Sequence, residues 1–174
     1  MNLSKPMSII KNFIIIIFVA IFTSQVNSEE VKKMGTHKDW ETYVINSDTG
    51  KVCFAQSKPV LQAPKKSQRD ARLFITFRPR EKITNEISIT AGYEFNTKNS
   101  ITASSGKNKY KFDLAQEGFA WMTDNKLENK MIRIMKKGSR IMITGFNQKG
   151  SQTIDHYSLL GFTKAYNATK ANCS

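Results

Sequence analysis

Hydrophobic and polar residues alternate along most of the chain with a period of two, which is typical of β-strands. In residues 72–78, Leu73, Ile75 and Phe77 fall on one face, while Phe74 joins the polar residues on the other. Comparable runs predict further strands at 40–45, 51–56, 86–95, 101–104, 109–114, 119–122, 140–146 and 153–160. Gly92 lies inside one of these runs and indicates a bulge or bend. The pattern predicts about eight or nine short strands.

The period changes to that of an α-helix over residues 125–137. The apolar residues recur at i, i+4, i+7 and i+8 and form one stripe, which comprises Leu127, Met131, Ile134 and Met135. Gly138 stands where such a helix ends. A shorter helical pattern near the C-terminus comprises Phe162, Ala165, Tyr166 and Thr169. Together these patterns predict a mainly β fold, an antiparallel β-sandwich or barrel-like single domain with one inserted amphipathic helix and a short C-terminal helix.

Two polar stretches show neither the period of a strand nor that of a helix. Residues 29–39 are expected to be a flexible lead-in, and residues 57–71, with Pro59 and Pro64, are expected to be a long surface loop. We therefore expect the β-domain to occupy residues 40–174.

The first 28 residues have the three parts of a secretory signal peptide. Lys5 and Lys11 form a basic start, residues 13–22 are uninterruptedly apolar, and cleavage is expected after Ser28. The alternative is an uncleaved anchor, but a spanning helix needs about 20 apolar residues, twice the length of this run. We therefore expect export to the periplasm or outer cell envelope, with no transmembrane segment after cleavage.

Export also affects how the two cysteines, Cys53 and Cys173, are interpreted. In an oxidising compartment an even pair normally closes, and only one pairing exists within this chain. The chain-entropy model gives about 4–5 kcal/mol for a loop of this length. The alternative is two unrelated buried or free thiols.

The composition is strongly basic, with 27 lysines and arginines against 14 acidic residues and a net charge of +13. Removal of the signal peptide with its two lysines leaves +11. Export makes nucleic acid an unsuitable partner and favours an anionic envelope component, such as lipid headgroups, lipopolysaccharide or an acidic glycan, or else an envelope protein. Because 21 of the 27 are lysines and Asn and Ile are abundant, part of the charge also fits the composition of an AT-rich genome.

Two groups of cations are candidates for an anion-binding surface. One group precedes residue 73 and comprises Lys65, Lys66, Arg69 and Arg72. The other recurs at helical spacing opposite the apolar stripe and comprises Lys126, Lys130, Arg133 and Lys137. The alternative is a core-packed helix and a charged, solvated surface with no specific partner.

Candidate chemistry is confined to Asp155-His156-Tyr157-Ser158. In a strand, Asp155 and His156 point to opposite faces, so this aspartate does not orient the histidine. His156 and Ser158 share a face, which leaves an envelope hydrolase as the alternative function. No Gly-x-Ser-x-Gly motif and no metal-ligand spacing occur, so no metal or other cofactor is expected.

Several segments, in order along the chain, resemble the invasion-associated locus B family of exported alphaproteobacterial proteins. They are Lys51-Val52-Cys53-Phe54-Ala55, Arg69-Asp70, Thr76-Phe77-Arg78-Pro79, Ala91-Gly92-Tyr93, Ala120-Trp121, Met135-Lys136-Lys137-Gly138, Gly150-Ser151, Thr153, Asp155-His156-Tyr157-Ser158-Leu159, Gly161-Phe162-Thr163-Lys164-Ala165 and Cys173. The resemblance implies an exported β-sandwich associated with the cell envelope and, in pathogenic members, with invasion of host cells. It brings no catalytic residues.

The sequence also departs from that family pattern. It has one cysteine pair where some members carry two, and Asn147-Gln148-Lys149-Gly150 stands where relatives carry a Ser-x-Arg-Gly segment. Because the resemblance brings no catalytic residues, we expect a non-enzymatic binding or accessory module. What the loop at residues 147–150 would recognise is left undefined by the departure.

Overall fold

A computed structural model describes residues 30–65 and 68–174 of the chain. The predicted signal peptide, Glu29 and Lys66 lie outside the described residues. Within them the chain forms twelve strands, two α-helices and a short 3-10 helix, Pro79–Glu81. The strands are β1 (Glu30–His37), β2 (Trp40–Ser47), β3 (Gly50–Ser57), β4 (Leu61–Ala63), β5 (Arg72–Arg78), β6 (Ile83–Thr90), β7 (Ile101–Ser105), β8 (Asn108–Phe112), β9 (Leu114–Gln116), β10 (Phe119–Trp121), β11 (Arg140–Phe146) and β12 (Gln152–Ser158). The helices are α1 (Asn125–Lys137) and α2 (Phe162–Asn172).

The strands form two sheets in which neighbouring strands are antiparallel. The larger sheet has seven strands in the order β1-β2-β3-β5-β6-β10-β9, and the smaller has five in the order β4-β12-β11-β7-β8. The alternation read from residues 72–78 is confirmed, because Leu73, Ile75 and Phe77 are all buried. A mainly β fold with two antiparallel sheets and two helices confirms the predicted fold class.

Both helices contribute apolar side chains to the core. α2 lies against β1, β2, β3 and β5, and α1 lies against β6. Trp40 is fully buried and packs on Phe162 of α2 with ring centroids 4.9 Å apart. Its indole Nε1–H donates to the carbonyl oxygen of Ser158 at 3.0 Å. One tryptophan of the larger sheet therefore contacts both α2 and the last strand of the smaller sheet.

The two ends of α2 are fixed in different ways. Gly161 precedes the helix with φ of +88°, and a Cβ there would fall 1.8 Å from the carbonyl oxygen of His37. Only glycine fits at position 161, because any side chain would collide with the His37 carbonyl and would strain a backbone with this positive φ. At the other end, Cys173 forms a disulfide with Cys53 of β3, which confirms the predicted pair. Both cysteines are buried.

The helix α1 has the predicted bounds. Asp124 caps its start, since one carboxylate oxygen accepts from the backbone N–H of Lys126 at 2.7 Å and of Leu127 at 3.3 Å. The predicted stripe is only partly correct, because Leu127 is 41% exposed. Glu128 is buried in its place, where its Oε1 accepts from the backbone N–H of Ile87 at 2.8 Å.

The structure also shortens the strand expected at 86–95, which ends at Thr90, and it corrects three further predictions. Residues 30–37 were expected to be a flexible lead-in but form β1, whose backbone pairs with β2 from Glu30 to His37. β1 is an edge strand with mostly exposed side chains, so it needs no hydrophobic alternation. The expected loop at 57–71 contains β4, which pairs with β12.

The third correction concerns residues 109–114, which were expected to form one strand. The chain changes sheets there, so Leu114 begins β9 and is 48% exposed instead of continuing the buried side of β8. These short additional strands also raise the number above the eight or nine expected.

The buried Glu128 predicts a pH-dependent stability. Burial raises its pKa from 4.5 to about 7, the Ile87 N–H opposes this, and the charges of Glu86, Asp124 and Asp113 raise it further. A carboxyl with a raised pKa in the folded state contributes stability below its unfolded pKa and loses it as the pH rises towards 7. We expect Glu128→Gln to match the wild type near pH 4 and to exceed it at pH 8 by about 2–3 kcal/mol.

Urea unfolding at both pH values measures this difference. Glu94→Gln, at an exposed position, is the control and should change neither curve. Equal stabilities of Glu128→Gln and wild type at pH 8 would contradict the prediction.

Candidate functional site

The hydroxyl and imidazole proposed for a hydrolase do not form a catalytic pair in the described structure. The Ser158 Oγ accepts from the backbone N–H of Leu160 at 3.2 Å. The His156 Nδ1 is buried and has no hydrogen-bond partner among the described residues. Asp155 is on the opposite, buried side of β12, as the strand pattern predicted. The arrangement that general-base activation of a serine requires is therefore not assembled here.

Asp155 instead forms a buried ion pair with Arg69. The two guanidinium nitrogens Nη1 and Nη2 donate to the two carboxylate oxygens at 2.9 and 2.6 Å. Nη1 also donates to the carbonyl oxygen of Ala91 at 3.0 Å. The side chains of Arg69 and Asp155 are 7% and 3% exposed. Arg69 was expected to belong to an anion-binding surface; this is wrong, because its charge is already bound inside the protein.

The environment of this ion pair is built from several of the segments that carried the family resemblance. The Arg69 guanidinium lies over the Tyr93 ring, 5.6 Å from its centroid, and the Tyr93 hydroxyl shares a hydrogen bond of 2.5 Å with Thr153. Gly92 has φ of +74°, and a Cβ there would lie 2.9 Å from the backbone nitrogen of Asp70. The pair thus connects the loop before β5, the bend after β6 and strand β12 of the other sheet. Its role is structural, since both carboxylate oxygens of Asp155 and both terminal nitrogens of the Arg69 guanidinium are bonded within the fold.

The other predicted cations are placed differently. Arg72 is held by Asp70, with nitrogen and oxygen 2.9 Å apart, and by the side-chain oxygen of Gln56 at 3.2 Å. Lys65 is exposed. The remaining four predicted cations are all exposed on α1 and form no ion pair with a described residue; they are Lys126, Lys130, Arg133 and Lys137. We refer to these four as the cationic row.

The cationic row lies on a helix whose orientation is fixed by its contacts with the core. Met131, Ile132 and Met135 of α1 are buried in the core, and Glu128 is bonded to β6. Eleven residues separate the first and last cation, so the row is about 16 Å long at a rise of about 1.5 Å per residue. Beside it, the Lys136 ammonium lies 3.7 Å from the centroid of the Tyr166 ring, and burial lowers the pKa of Lys136. The row is therefore a fixed, linear array of positive charge.

Sequence reasoning missed a second exposed feature on the outer side of the larger sheet. Five aromatic side chains form a continuous row there, which we call the aromatic face: Tyr43, Phe54, Phe74, Phe119 and Trp121. Successive ring centroids are 5.1, 6.1, 6.1 and 5.8 Å apart. A shallow depression of about 260 Å³ opens between Phe54, Phe74, Phe119 and Trp121. The signal in the sequence was Phe74 among the polar residues of its strand.

Two further observations apply to the described residues. No cluster of three or more His, Cys, Asp or Glu side chains is arranged to hold a metal ion. Neither α1 nor α2 has the length and apolar character needed to span a bilayer.

Comparison with known families identifies the family of the chain. The family model described as Invasion associated locus B (IalB) protein matches residues 40–170. The chain belongs to the invasion-associated locus B family. This confirms the resemblance, and the matched region includes Arg69, Asp155, the aromatic face and the cationic row. No curated protein and no solved structure matches the chain significantly.

Within this locus B domain, the buried ion pair predicts an asymmetric response to mutation. Asp155→Ala leaves the Arg69 charge buried without its partner, which should cost about 3–5 kcal/mol of unfolding free energy. Replacing both side chains with apolar ones, as in Arg69→Met/Asp155→Leu, should cost much less because no charge is then buried. Urea unfolding of the single and double variants measures the two losses.

Asp48→Ala, at an exposed turn, is the matched control and should leave the unfolding free energy within about 0.5 kcal/mol of the wild type. If the double variant lost as much stability as Asp155→Ala or more, the ion pair would be a net stabilising contact, and our explanation of the single variant would be wrong.

Proposed function

We propose that this locus B protein is an exported, non-enzymatic binding module of the bacterial envelope, and that it holds a phosphate-bearing envelope component against the cationic row. The observation that carries the proposal is the row itself, four exposed cations on a rigid helix with no ion-pair partner among the described residues. The disulfide between Cys53 and Cys173 is suited to an oxidising compartment outside the cytoplasm.

The cationic row differs from those cations that the fold itself neutralises. Lys33, Arg69, Arg72 and Arg78 are each paired with a described acid, so their charges are compensated within the fold. The cationic row is not compensated in this way. An external anion therefore gains more from the row than from these paired cations.

The expected strength follows from simple electrostatics. A lysine or arginine close to an anionic lipid surface contributes about 1 kcal/mol, so four contribute about 4 kcal/mol, equivalent to a dissociation constant of about 1 mM. Exposed Lys164 and Lys170 of α2 add to this. The apolar side of α1 is committed to the core, so the helix does not insert into a bilayer. Binding should therefore be weak, reversible and sensitive to salt.

The non-enzymatic part of the proposal is supported by the geometry of β12, where Ser158 and His156 make no hydrogen bond to each other. We do not transfer host-cell invasion, which the resemblance implies only for pathogenic members, to this chain.

Binding of the exported protein to vesicles tests the proposal. We expect sedimentation with vesicles of phosphatidylglycerol but not with vesicles of phosphatidylcholine, and loss of binding as salt reduces the Debye length from about 10 Å at 0.1 M to about 3 Å at 1 M. A variant in which Lys126, Lys130, Arg133 and Lys137 are all glutamine should lose at least about tenfold in affinity. The same assay with lipopolysaccharide in place of phosphatidylglycerol determines whether the bound phosphate belongs to a glycolipid or to a phospholipid.

The control removes the same charge elsewhere, at the exposed lysines Lys32, Lys58, Lys65 and Lys149. It should keep most of the affinity if the row is the binding surface. Equal losses in the two variants would show that only net charge matters, and salt-independent binding would overturn the electrostatic mechanism.

A further inference from the structure

The aromatic face differs chemically from every other exposed part of the described structure. Tyr43, Phe54, Phe74 and Trp121 are half-buried and Phe119 is 37% exposed, so all five rings keep accessible surface. The depression between them is lined mainly by their rings and by Val52, with Thr76 and Ser88 at its polar edge. Val31 and Leu114, on edge strands of the same sheet, are 55% and 48% exposed. Contiguous exposed apolar surface of this kind marks an interaction site.

The charges on this face are compensated, unlike those of the chain as a whole. Three described cations lie on the outer side of its strands, and each is paired: Lys33 with Glu41, Arg72 with Asp70, and Arg78 with both Glu81 and Glu86. Hydrogen bonds from Lys33 and Tyr43 lower the pKa of Glu41 to about 2, so its carboxylate is charged at neutral pH. The face therefore carries no excess positive charge, although the chain carries +13.

We propose that the aromatic face is the interface of a symmetric homodimer, in which the larger sheets of two copies of this chain pack face to face. Two copies of a strongly basic protein repel each other at most orientations. They can approach without that repulsion through a face on which each cation has an acid beside it. Aromatic and arginine side chains, both present on this face, are also the residues enriched at protein–protein interfaces.

The size and shape of the face fit a second copy better than a small ligand. Five strands at about 4.8 Å and about 20 Å of strand length give on the order of 500 Å² in projection, and side-chain relief brings the accessible area closer to the ~800 Å² that each partner contributes to a standard interface. Two twisted sheets pack at about 10 Å with their strands about 30° apart. The depression offers few polar groups for a sugar, whose hydroxyls require hydrogen-bond partners.

The oligomeric state of the protein, produced from its full coding sequence and purified in its exported form, tests the proposal. Light scattering and sedimentation from about 1 to about 100 µM should show twice the monomer mass at the higher concentrations, since even the weakest interfaces of standard size have micromolar dissociation constants. Because the contact is apolar and its charges are paired, the dimer should persist at about 1 M salt.

A double variant on the face, Phe54→Thr/Phe119→Thr, should weaken dimerisation at least about tenfold, because aromatic side chains at the centre of an interface contribute most of its affinity. The matched control, Val60→Thr/Leu160→Thr, removes two exposed apolar side chains that do not belong to the face and should leave the dimer intact. Near-ultraviolet circular dichroism verifies that both variants keep the native fold.

Tryptophan fluorescence locates the interface. The chain has two tryptophans, Trp40 with no exposed surface and Trp121 on the aromatic face. Acrylamide quenching therefore reports on Trp121 and should decrease as the wild type dimerises, but not in the face variant. A wild type that stays monomeric at about 100 µM, a dimer that the face variant leaves intact, or quenching that does not change with concentration would each overturn the proposal. Capture of a different protein by a monomeric wild type would do the same.

Discussion

The ion pair between Arg69 and Asp155 is the contact on which the arrangement of the two sheets depends. Desolvation of both charges costs several kcal/mol, and this cost is offset only where the geometry is good and the remaining polar atoms are bonded. The geometry here is good, with two parallel N–H···O bonds and a further bond to Ala91, although the buried Nε of Arg69 has no hydrogen-bond partner among the described residues. Since Arg69 precedes β5 and Asp155 belongs to β12, the sheets cannot shift relative to each other without breaking a buried charge pair. Short segments far apart in the chain, including Arg69-Asp70, Ala91-Gly92-Tyr93 and Thr153, meet at this ion pair.

The opposite side of the core is held by the C-terminal helix. Gly161 allows α2 to start directly against the end of β1, and Cys173 ties its last turn to β3. Between them, Trp40 fills the space next to Phe162 and bonds to the end of β12. The helix therefore packs on β1, β2, β3 and β5 of the larger sheet, and Trp40 links this contact to the end of β12. In the chain-entropy model, a disulfide across this loop lowers the entropy of the unfolded chain and so stabilises the folded state by about 4–5 kcal/mol. The covalent bond also keeps the last turn of the helix at β3.

The fold divides its charge unevenly, and this gives two exposed surfaces different physical properties. Lys33, Arg72 and Arg78 on the outer side of the larger sheet are neutralised by neighbouring carboxylates, whereas the cations on the outer side of α1 are not neutralised by any described residue. An anion attracted to α1 is therefore subject to screening by salt, and a contact through the aromatic face is not. The two surfaces can be used independently, because one belongs to a helix packed on β6 and the other extends across the outer side of the sheet.

The pattern of residues along the chain was sufficient to predict the helix at 125–137, the strand at 72–78 and the mainly β class, and export favoured the pairing of Cys53 with Cys173. Periodicity is a local property that follows directly from which side of an element is buried, and two cysteines leave one possible pair. The sequence could not reveal β1, because an edge strand is stabilised by backbone pairing and needs no apolar side chains. Nor could it separate Arg69, which is buried against Asp155, from Lys126, which is exposed on α1, because both are cations in polar stretches. Which charges are compensated, and which aromatic residues share the outer face, became known from the three-dimensional arrangement, since both depend on contacts between residues far apart in the chain.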